Sequence, residues 1–187
     1  MNQVISNILS RRTTRKFTSE AINPEMISAI VESGIYAPSG HNAQPWHFTV
    51  IRNAALLKEL NLATKEEAKN YPDPTVQKMA NNEEFNLFYN APVLIVVSGM
   101  KTGAVMMRDD CAAATQNMLL AAESLGLGAC WNGMMAFLFN SPKGAEYTEK
   151  LGIPENYTPL YAVALGHKAV SASAAPARKE NLVNYID

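Results

Sequence analysis

The chain has 187 residues, of which 48% are hydrophobic, so it can bury the core of one domain and does not have the composition of a disordered protein. Its 16 Lys and Arg residues and 17 Asp and Glu residues leave a net charge of −1, which excludes a global basic field that would draw it to nucleic acid or an anionic membrane. Any anion-binding site must therefore be local.

The N-terminal stretch MNQVISNILS has no charged leader and no long apolar run, so we expect no secretory signal. The longest apolar run, APVLIVV at 91–97, is too short to span a bilayer. Cys111 and Cys130 form no CxxC pair, and the histidines lack the spacing of metal ligands. We therefore predict no metal site, no membrane partner and a reduced, cytoplasmic protein.

The first half of the chain alternates helix and strand signals. Pro24 after Asn23 predicts a capped helix start, and the apolar residues that follow recur at helical spacing. The aromatic and β-branched stretch WHFTVIR at 46–52 predicts a strand, followed by a helix over 54–63. Residues 70–90 combine prolines with a polar run, which predicts a mobile loop and helix that could serve as a lid.

The second half contains two unbroken apolar runs, PVLIVVS at 92–98 and PLYAVALG at 159–166, which predict central strands buried on both faces. Between them, 105–125 predicts a buried helix, and GACWNGMM at 128–135 continues as strand or turn. The tail ends in NLVNYI at 181–186, a β-like piece. No linker divides the chain, so we predict a single domain over 1–187 with a sheet layered by helices.

A basic cluster lies in SRRTTRKF at 10–17. Guanidinium forks bind phosphate in a bidentate manner, and hydroxyls add further donors. The cluster consists of Arg11, Arg12, Thr13, Thr14, Arg15 and Lys16. The alternative, a solvated basic face near a terminus, has about equal support because basic runs are common.

The stretch APSGHNAQPWHF at 37–48 places polar side chains directly before a strand. Ser39, Asn42 and Gln44 could bind the edge of a flat heterocycle, and Gly40 would let a backbone approach closely. Considered alone, the stretch fits an ordinary polar loop better.

Two further features have structural explanations of equal or greater weight. LGLGACWNGM at 125–134 is only loosely similar to a glycine-rich phosphate loop, because it lacks the Walker lysine spacing and follows a helix. A helix cap followed by a core strand explains it equally well. Arg178 and Lys179 near the C-terminus form a pair of cations that is solvated by default.

Taken together, RRTTRKF, APSGHNAQPWHF, QNMLLAAESLGLGACWNG and the late ALGHK…ARKENLVNYI resemble the nitroreductase-like FMN-dependent NAD(P)H oxidoreductases, in order and over essentially the whole chain. Four motifs in order are far more specific than any one of them. The resemblance implies an α+β fold: a mostly antiparallel central sheet wrapped by helices, in an intertwined homodimer with FMN at the interface. It also implies that the tail adds to the sheet of the partner.

The resemblance assigns the charged contacts of FMN to the two ends of the chain. Arg11 and Thr13 would hold the phosphate, with Arg12 in the same cluster and Arg178 joining from the tail. Arg15 would lie near the pyrimidine edge of the flavin, where a positive group favours the charge that develops on reduction.

The remaining FMN contacts would come from two loops. Residues of the other subunit would line the ring and the ribityl chain, namely Pro38, Ser39, Gly40 and Asn42. Gln44 would contact the polar edge of the ring or the ribityl hydroxyls. A backbone N–H near Asn132 and Gly133 would point at flavin N5. Gly40 stands where many relatives have Ser, and Asn132 where many have an apolar or acidic residue, which leaves the polarity at N5 open.

The implied activity is the ping-pong reduction of nitroaromatics, quinones or similar small acceptors by NADH or NADPH, with no catalytic side chain required. One alternative is a dehalogenating or flavin-consuming specialist, for which 187 residues leave little room for extra segments. Another is a flavin-binding regulatory protein with low turnover. A nucleic-acid-binding module is disfavoured by the charge balance.

Overall fold

The computed structural model describes residues 2–171 and 173–187. Helices and strands follow one another as α1 Gln3–Ser10, α2 Pro24–Ile35, β1 Trp46–Ile51, α3 Ala54–Ala68, α4 Pro74–Asn81, β2 Val93–Met100, α5 Met107–Ser124, β3 Leu127–Asn132, α6 Ala136–Phe139, α7 Gly144–Lys150 and β4 Tyr157–His167. A single 3₁₀ turn at Gly40–Asn42 precedes β1. None of the helices in the described residues combines the length and apolar character needed to cross a membrane.

The four strands form one sheet in the order β1–β2–β4–β3, and each neighbouring pair is antiparallel. The two apolar runs predicted as central strands are the central strands β2 and β4. β2 is buried from Val93 through Gly99, which confirms burial on both faces. β3 lies at an edge of the sheet.

Helices cover both faces of the sheet, as predicted for the α+β fold. Because side chains alternate along a strand, Ile95 and Val97 of β2 pack in the core formed with α2 and α5. Leu94 and Val96 pack in a second core with α3, α6 and α7. The sheet is therefore the middle of three layers.

The helix α2 begins where the sequence predicts it. The Asn23 side chain accepts a hydrogen bond from the backbone N–H of Glu25 at 2.8 Å, and Pro24 occupies the first turn. Gly34, near the end of α2, allows close packing on α5: a Cβ there would lie 3.0 Å from Met118 Cγ.

Several elements differ from the sequence prediction. The helix α1 was not predicted, although Asn2 caps it by accepting from the N–H of Ile5 at 3.0 Å. The helix α3 continues past the predicted residue 63 to Ala68, and the short helices α6 and α7 were also missed. Residues 181–186, the β-like piece predicted to add to the sheet of a partner, pair with no described strand of this chain, and 173–187 are exposed along their length. The pairing with a partner stays a prediction.

The loop and helix predicted for 70–90 are present as α4 and as the irregular segment 82–91 that joins α4 to β2. The mobility and lid role predicted for this region stay predictions. Leu87 and Phe88 are almost fully buried. Lys65 on α3 is 7% exposed, and its ammonium donates to the carbonyl oxygens of Asn82 at 2.5 Å and Phe85 at 3.1 Å. The segment is therefore fastened to the body of the fold.

Candidate cofactor-binding site

The basic N-terminal segment lies across the end of the sheet next to β3. The backbone N–H of Thr14 donates to Ala129 O at 3.0 Å, and that of Thr18 donates to His167 O at 3.0 Å. Thr14 is buried and Thr13 is exposed, as expected when side chains alternate along an extended segment. Gly128 permits the approach, because a Cβ there would lie 2.6 Å from Thr14 Cγ2.

The structure separates the two arginines that open the cluster. Arg12 Nη1 donates to the carbonyl oxygens of Leu9 at 2.7 Å and Arg11 at 2.8 Å, so this guanidinium caps the end of α1. The structure thus gives the Arg12 side chain main-chain contacts within its own chain, and the cofactor-binding role predicted for it stays a prediction. Among the described residues, the Arg11 side chain makes no hydrogen bond or ion pair.

Arg15 is held by an aromatic side chain of the 82–91 segment. Its Nε donates to the hydroxyl of Tyr89 at 3.3 Å, and its Cζ lies 5.8 Å from the centre of the Tyr89 ring. The hydrogen bond to Tyr89 raises the pKa of Arg15. Nothing in the sequence pairs two residues that are 74 positions apart, so this contact could not be predicted.

Both cysteines are free and buried, and neither has the environment of a reactive thiol. Burial, together with the charge of Asp110, raises the pKa of the Cys111 thiol to about 12. Burial also raises the pKa of Cys130, although the neighbouring Arg15 charge offsets part of the rise. Neither thiol is therefore a nucleophile at neutral pH.

The loop at 37–45 is built on left-handed backbone. His41, Asn42 and Gln44 have φ angles of 54°, 54° and 45°, a conformation that non-glycine residues adopt only when surrounding contacts impose it. Ser39 Oγ accepts from the N–H of Gln44 at 3.0 Å, and Gln44 Nε2 donates to Asn42 Oδ1 at 3.1 Å. Three of the predicted site residues thus fix the shape of their own loop.

Asp110 fastens this loop to α5, and the sequence analysis missed it. Its Oδ1 accepts from the backbone N–H of Gly40 at 3.0 Å, while its Oδ2 is buried and has no partner among the described residues. The carboxylate lies in the first turn of α5, where the helix dipole favours negative charge. An acidic residue in a helix predicted to be buried was the available signal. Pro38 lies exposed at the start of the loop.

Asn132 and Gly133 end the edge strand β3 in opposite environments. Asn132 is 1% exposed, and its side chain is fully occupied within the chain. Gly133 is exposed, and a Cβ placed on it would meet no atom within 4 Å. Of the two residues, only Gly133 has room for a ligand beside its backbone, and the predicted main-chain donor there stays a prediction.

Arg178 is not brought to the rest of the basic cluster within this chain. Its Nη1 donates to Pro176 O at 2.9 Å, inside the exposed tail. The tail packs on no element of its own chain that would direct the arginine toward Arg11.

Comparisons with known proteins identify the family of the chain. The model of the nitroreductase family matches residues 8–167. The chain belongs to the nitroreductase family. A relative in Archaeoglobus fulgidus is 33% identical over 170 residues, which cover 89% of this chain and 86% of that protein. The FMN reductase (NADPH) of Bacillus subtilis is 28% identical over 188 residues, 94% of this chain and 70% of that protein.

Among solved structures, the nitroreductase of Bacteroides fragilis with bound FMN matches the whole of both chains with a TM-score of 0.93 and 33% identity. This chain therefore has the nitroreductase fold as well as the family sequence. The family match also contains the basic segment from Arg11 to Arg15, the loop at 37–45 and the end of β3, and it excludes Arg178.

Proposed function

We propose that this protein is an FMN-dependent oxidoreductase that uses NADH or NADPH to reduce nitroaromatics, quinones or similar small acceptors. The observation that carries the proposal is the placement of Arg15 and the open Gly133 backbone at one edge of the sheet, both next to the 82–91 segment. The FMN reductase (NADPH) of Bacillus subtilis and the FMN-bound structure from Bacteroides fragilis support the same cofactor and reductant.

The donor set fits FMN. Arg11, which has no other partner among the described residues, and the exposed hydroxyl of Thr13 supply a cation and a donor for a phosphate. Arg15 supplies a second cation close to β3, and the space in front of Gly133 admits a flat ring up to the backbone. One stretch of chain thus offers complementary groups for both ends of the cofactor.

When FMN is bound, it supplies the redox chemistry, taking hydride from the nicotinamide at N5 and passing electrons to the acceptor. The protein would orient the flavin ring and stabilise the charge that develops on it. The Arg15 guanidinium offsets negative charge at the pyrimidine edge, and the Gly133 N–H would orient the ring at N5. Both cysteines stay protonated, so neither acts as a base. A single open face would serve reductant and acceptor in turn, which gives ping-pong kinetics.

We propose that the functional unit is a homodimer. α1 leaves an apolar face uncovered, with Val4 66% and Leu9 57% exposed. The tail is equally uncovered, with Tyr185 88% and Ile186 96% exposed. Monomeric proteins rarely leave apolar surfaces of this kind to water. A second copy that receives the tail would bury both surfaces and could bring Arg178 to the phosphate end of the partner's site.

The visible spectrum of the purified protein tests the cofactor directly, because oxidised flavin has characteristic absorption bands. Steady-state oxidation of NADH and NADPH, with and without a nitroaromatic or quinone, then tests the activity. Parallel double-reciprocal plots are expected for the ping-pong mechanism. A colourless protein that fails to bind added FMN would refute the proposal.

The same assays separate the alternatives. A flavin-binding regulatory protein would carry FMN yet oxidise NAD(P)H slowly with every acceptor. A dehalogenating enzyme would release halide from halogenated aromatics faster than it reduces quinones. Deleting 173–187 tests the dimer: we expect a monomer on size exclusion with weakened FMN retention. The two free, buried cysteines fit a reducing compartment, and cell fractionation would test the proposed cytoplasmic location.

A further inference from the structure

We propose that Asn132 is a positioning residue whose buried side-chain amide fixes the turn that presents the Gly133 N–H and ties that turn to the 82–91 segment. The inference rests on the proposed function, since it concerns how the chain sets a donor toward flavin N5. Asn132 is an unusual polar residue at the end of β3. A direct contact with the cofactor does not explain why it is there, whereas positioning of the turn does.

Both ends of the Asn132 amide are occupied. Nδ2 donates to Leu87 O at 2.6 Å, and Oδ1 accepts from the N–H of Met134 at 2.8 Å. The orientation of the amide is unambiguous, because a carbonyl can only accept and a backbone N–H can only donate. The second contact closes a turn from an Asn side chain to the backbone two residues on, and Gly133 is the residue in between.

Both backbone polar groups of Leu87 are hydrogen-bonded to asparagine side chains. Its N–H donates to Asn61 Oδ1 on α3 at 2.8 Å, and its carbonyl accepts from Asn132. Asn61 and Asn132 are 7% and 1% exposed, so water competes little for either contact. Two residues further along, Tyr89 holds Arg15. The same segment therefore positions both groups proposed to meet the flavin ring, the Arg15 cation and the Gly133 N–H.

This arrangement has a redox consequence. N5 of the oxidised ring is a better acceptor for an N–H than N5 of the reduced ring, because in the reduced ring N5 bears a hydrogen that would face the same donor. A well-placed Gly133 N–H therefore favours oxidised FMN over reduced FMN. If the Asn132–Met134 contact is lost, the turn relaxes and that preference weakens.

Three variants separate positioning from general stability. Asn132→Leu removes both amide contacts and keeps the branched shape of the side chain. Asn132→Ser keeps a hydroxyl that can accept from the Met134 N–H across the same turn but cannot reach Leu87. Asn61→Leu is the matched control. It removes the buried side-chain amide that accepts from the Leu87 N–H and leaves the Asn132–Met134 contact intact. If Asn132→Leu is insoluble, Asn132→Ala replaces it.

For each variant, the dissociation constant of oxidised FMN and the midpoint potential of the holoenzyme are measured, together with urea unfolding of the apoprotein. We expect Asn132→Leu to weaken oxidised FMN about tenfold relative to reduced FMN, which raises the two-electron midpoint potential by about 30 mV. Asn132→Ser should bring the midpoint potential most of the way back to the wild-type value, but it should not restore the lost stability. Asn61→Leu should lose stability with less than about a threefold change in the ratio of affinities.

Two results would overturn the inference. One is an unchanged midpoint potential in Asn132→Leu or Asn132→Ala. The other is an equal shift in Asn61→Leu, which would indicate general loosening. Failure of the proposed function is distinguishable, because the wild-type apoprotein would then not bind FMN at all.

Discussion

Gly128→Ala should weaken FMN binding, although Gly128 is not among the residues predicted to contact FMN. An added Cβ would lie 2.6 Å from Thr14 Cγ2, 2.7 Å from Thr14 Oγ1 and 2.8 Å from Thr14 Cβ. These separations are shorter than packed atoms tolerate, so Thr14 must move. Overpacking of this kind costs about 1–3 kcal/mol of unfolding free energy. Since Thr14 is hydrogen-bonded to Ala129 through its backbone, the extended segment has to move with it.

The displacement would reach the cofactor because Thr14 lies between Thr13 and Arg15. We therefore expect Gly128→Ala to lower both the unfolding free energy of the apoprotein, measured in urea, and the affinity for FMN, measured by fluorescence titration. Gly133→Ala is the contrasting variant. No atom lies within 4 Å of its added Cβ, so the apoprotein should keep its stability while FMN binding falls.

A double-mutant cycle decides whether the clash is the cause. Thr14→Ala removes Cγ2 and Oγ1, two of the three atoms nearest the added Cβ, so Gly128→Ala should cost less in the Thr14→Ala background. If Gly128→Ala leaves both stability and FMN affinity at the wild-type level, the basic segment does not pack on β3 as described.

Four other variants test separate features of the chain. Arg11→Ala should weaken FMN binding about 10- to 100-fold by removing a charge-assisted contact, whereas Arg12→Ala should mainly destabilise the end of α1. Equal losses of affinity in FMN titrations would indicate that Arg12 binds the phosphate as well. Because the pKa of Cys111 is raised to about 12, the unfolded thiol ionises first and stability falls as pH rises from about 9 toward 12. Cys111→Ala should flatten that slope in urea titrations, and an unchanged slope would contradict the pKa shift. His41→Ala should lower the rate of flavin reduction by NAD(P)H less than about tenfold, since hydride transfer needs orientation more than a protein acid; a thousandfold loss in stopped flow, with FMN retained, would reveal an unrecognised acid.

The sequence predicts the centre of the fold better than its periphery. β2 and β4 are apolar runs that a sheet covered on both faces requires, and α2 has a cap that can be recognised locally. α1 also has an apolar stripe at helical spacing, Val4, Ile5, Ile8 and Leu9, but these residues stay 47–66% exposed within the chain. α6 and α7 span one to two turns, too short for a hydrophobic period to develop.

Residue roles within the basic cluster could not be ranked from sequence, because its cations are equivalent there. The structure separates them by backbone geometry: Arg12 falls where its guanidinium can meet the last carbonyls of α1, while Arg15 falls opposite Tyr89. Asn132 is a similar case. Its partner Leu87 is 45 residues away, and only the route of the 82–91 segment brings them together.

The edge position of β3 explains why the site forms where it does. An edge strand has backbone groups on its outer side that no neighbouring strand satisfies. The basic segment pairs with β3 at Ala129 through Thr13 and Thr14, and no described strand continues that pairing past this point. The last residues of β3 therefore keep open donors next to a cationic segment. If a helix or a further strand covered this edge, the sheet would be better satisfied and the Gly133 N–H would be closed to any ligand. The open edge therefore leaves the Gly133 N–H to water until a ligand takes its place.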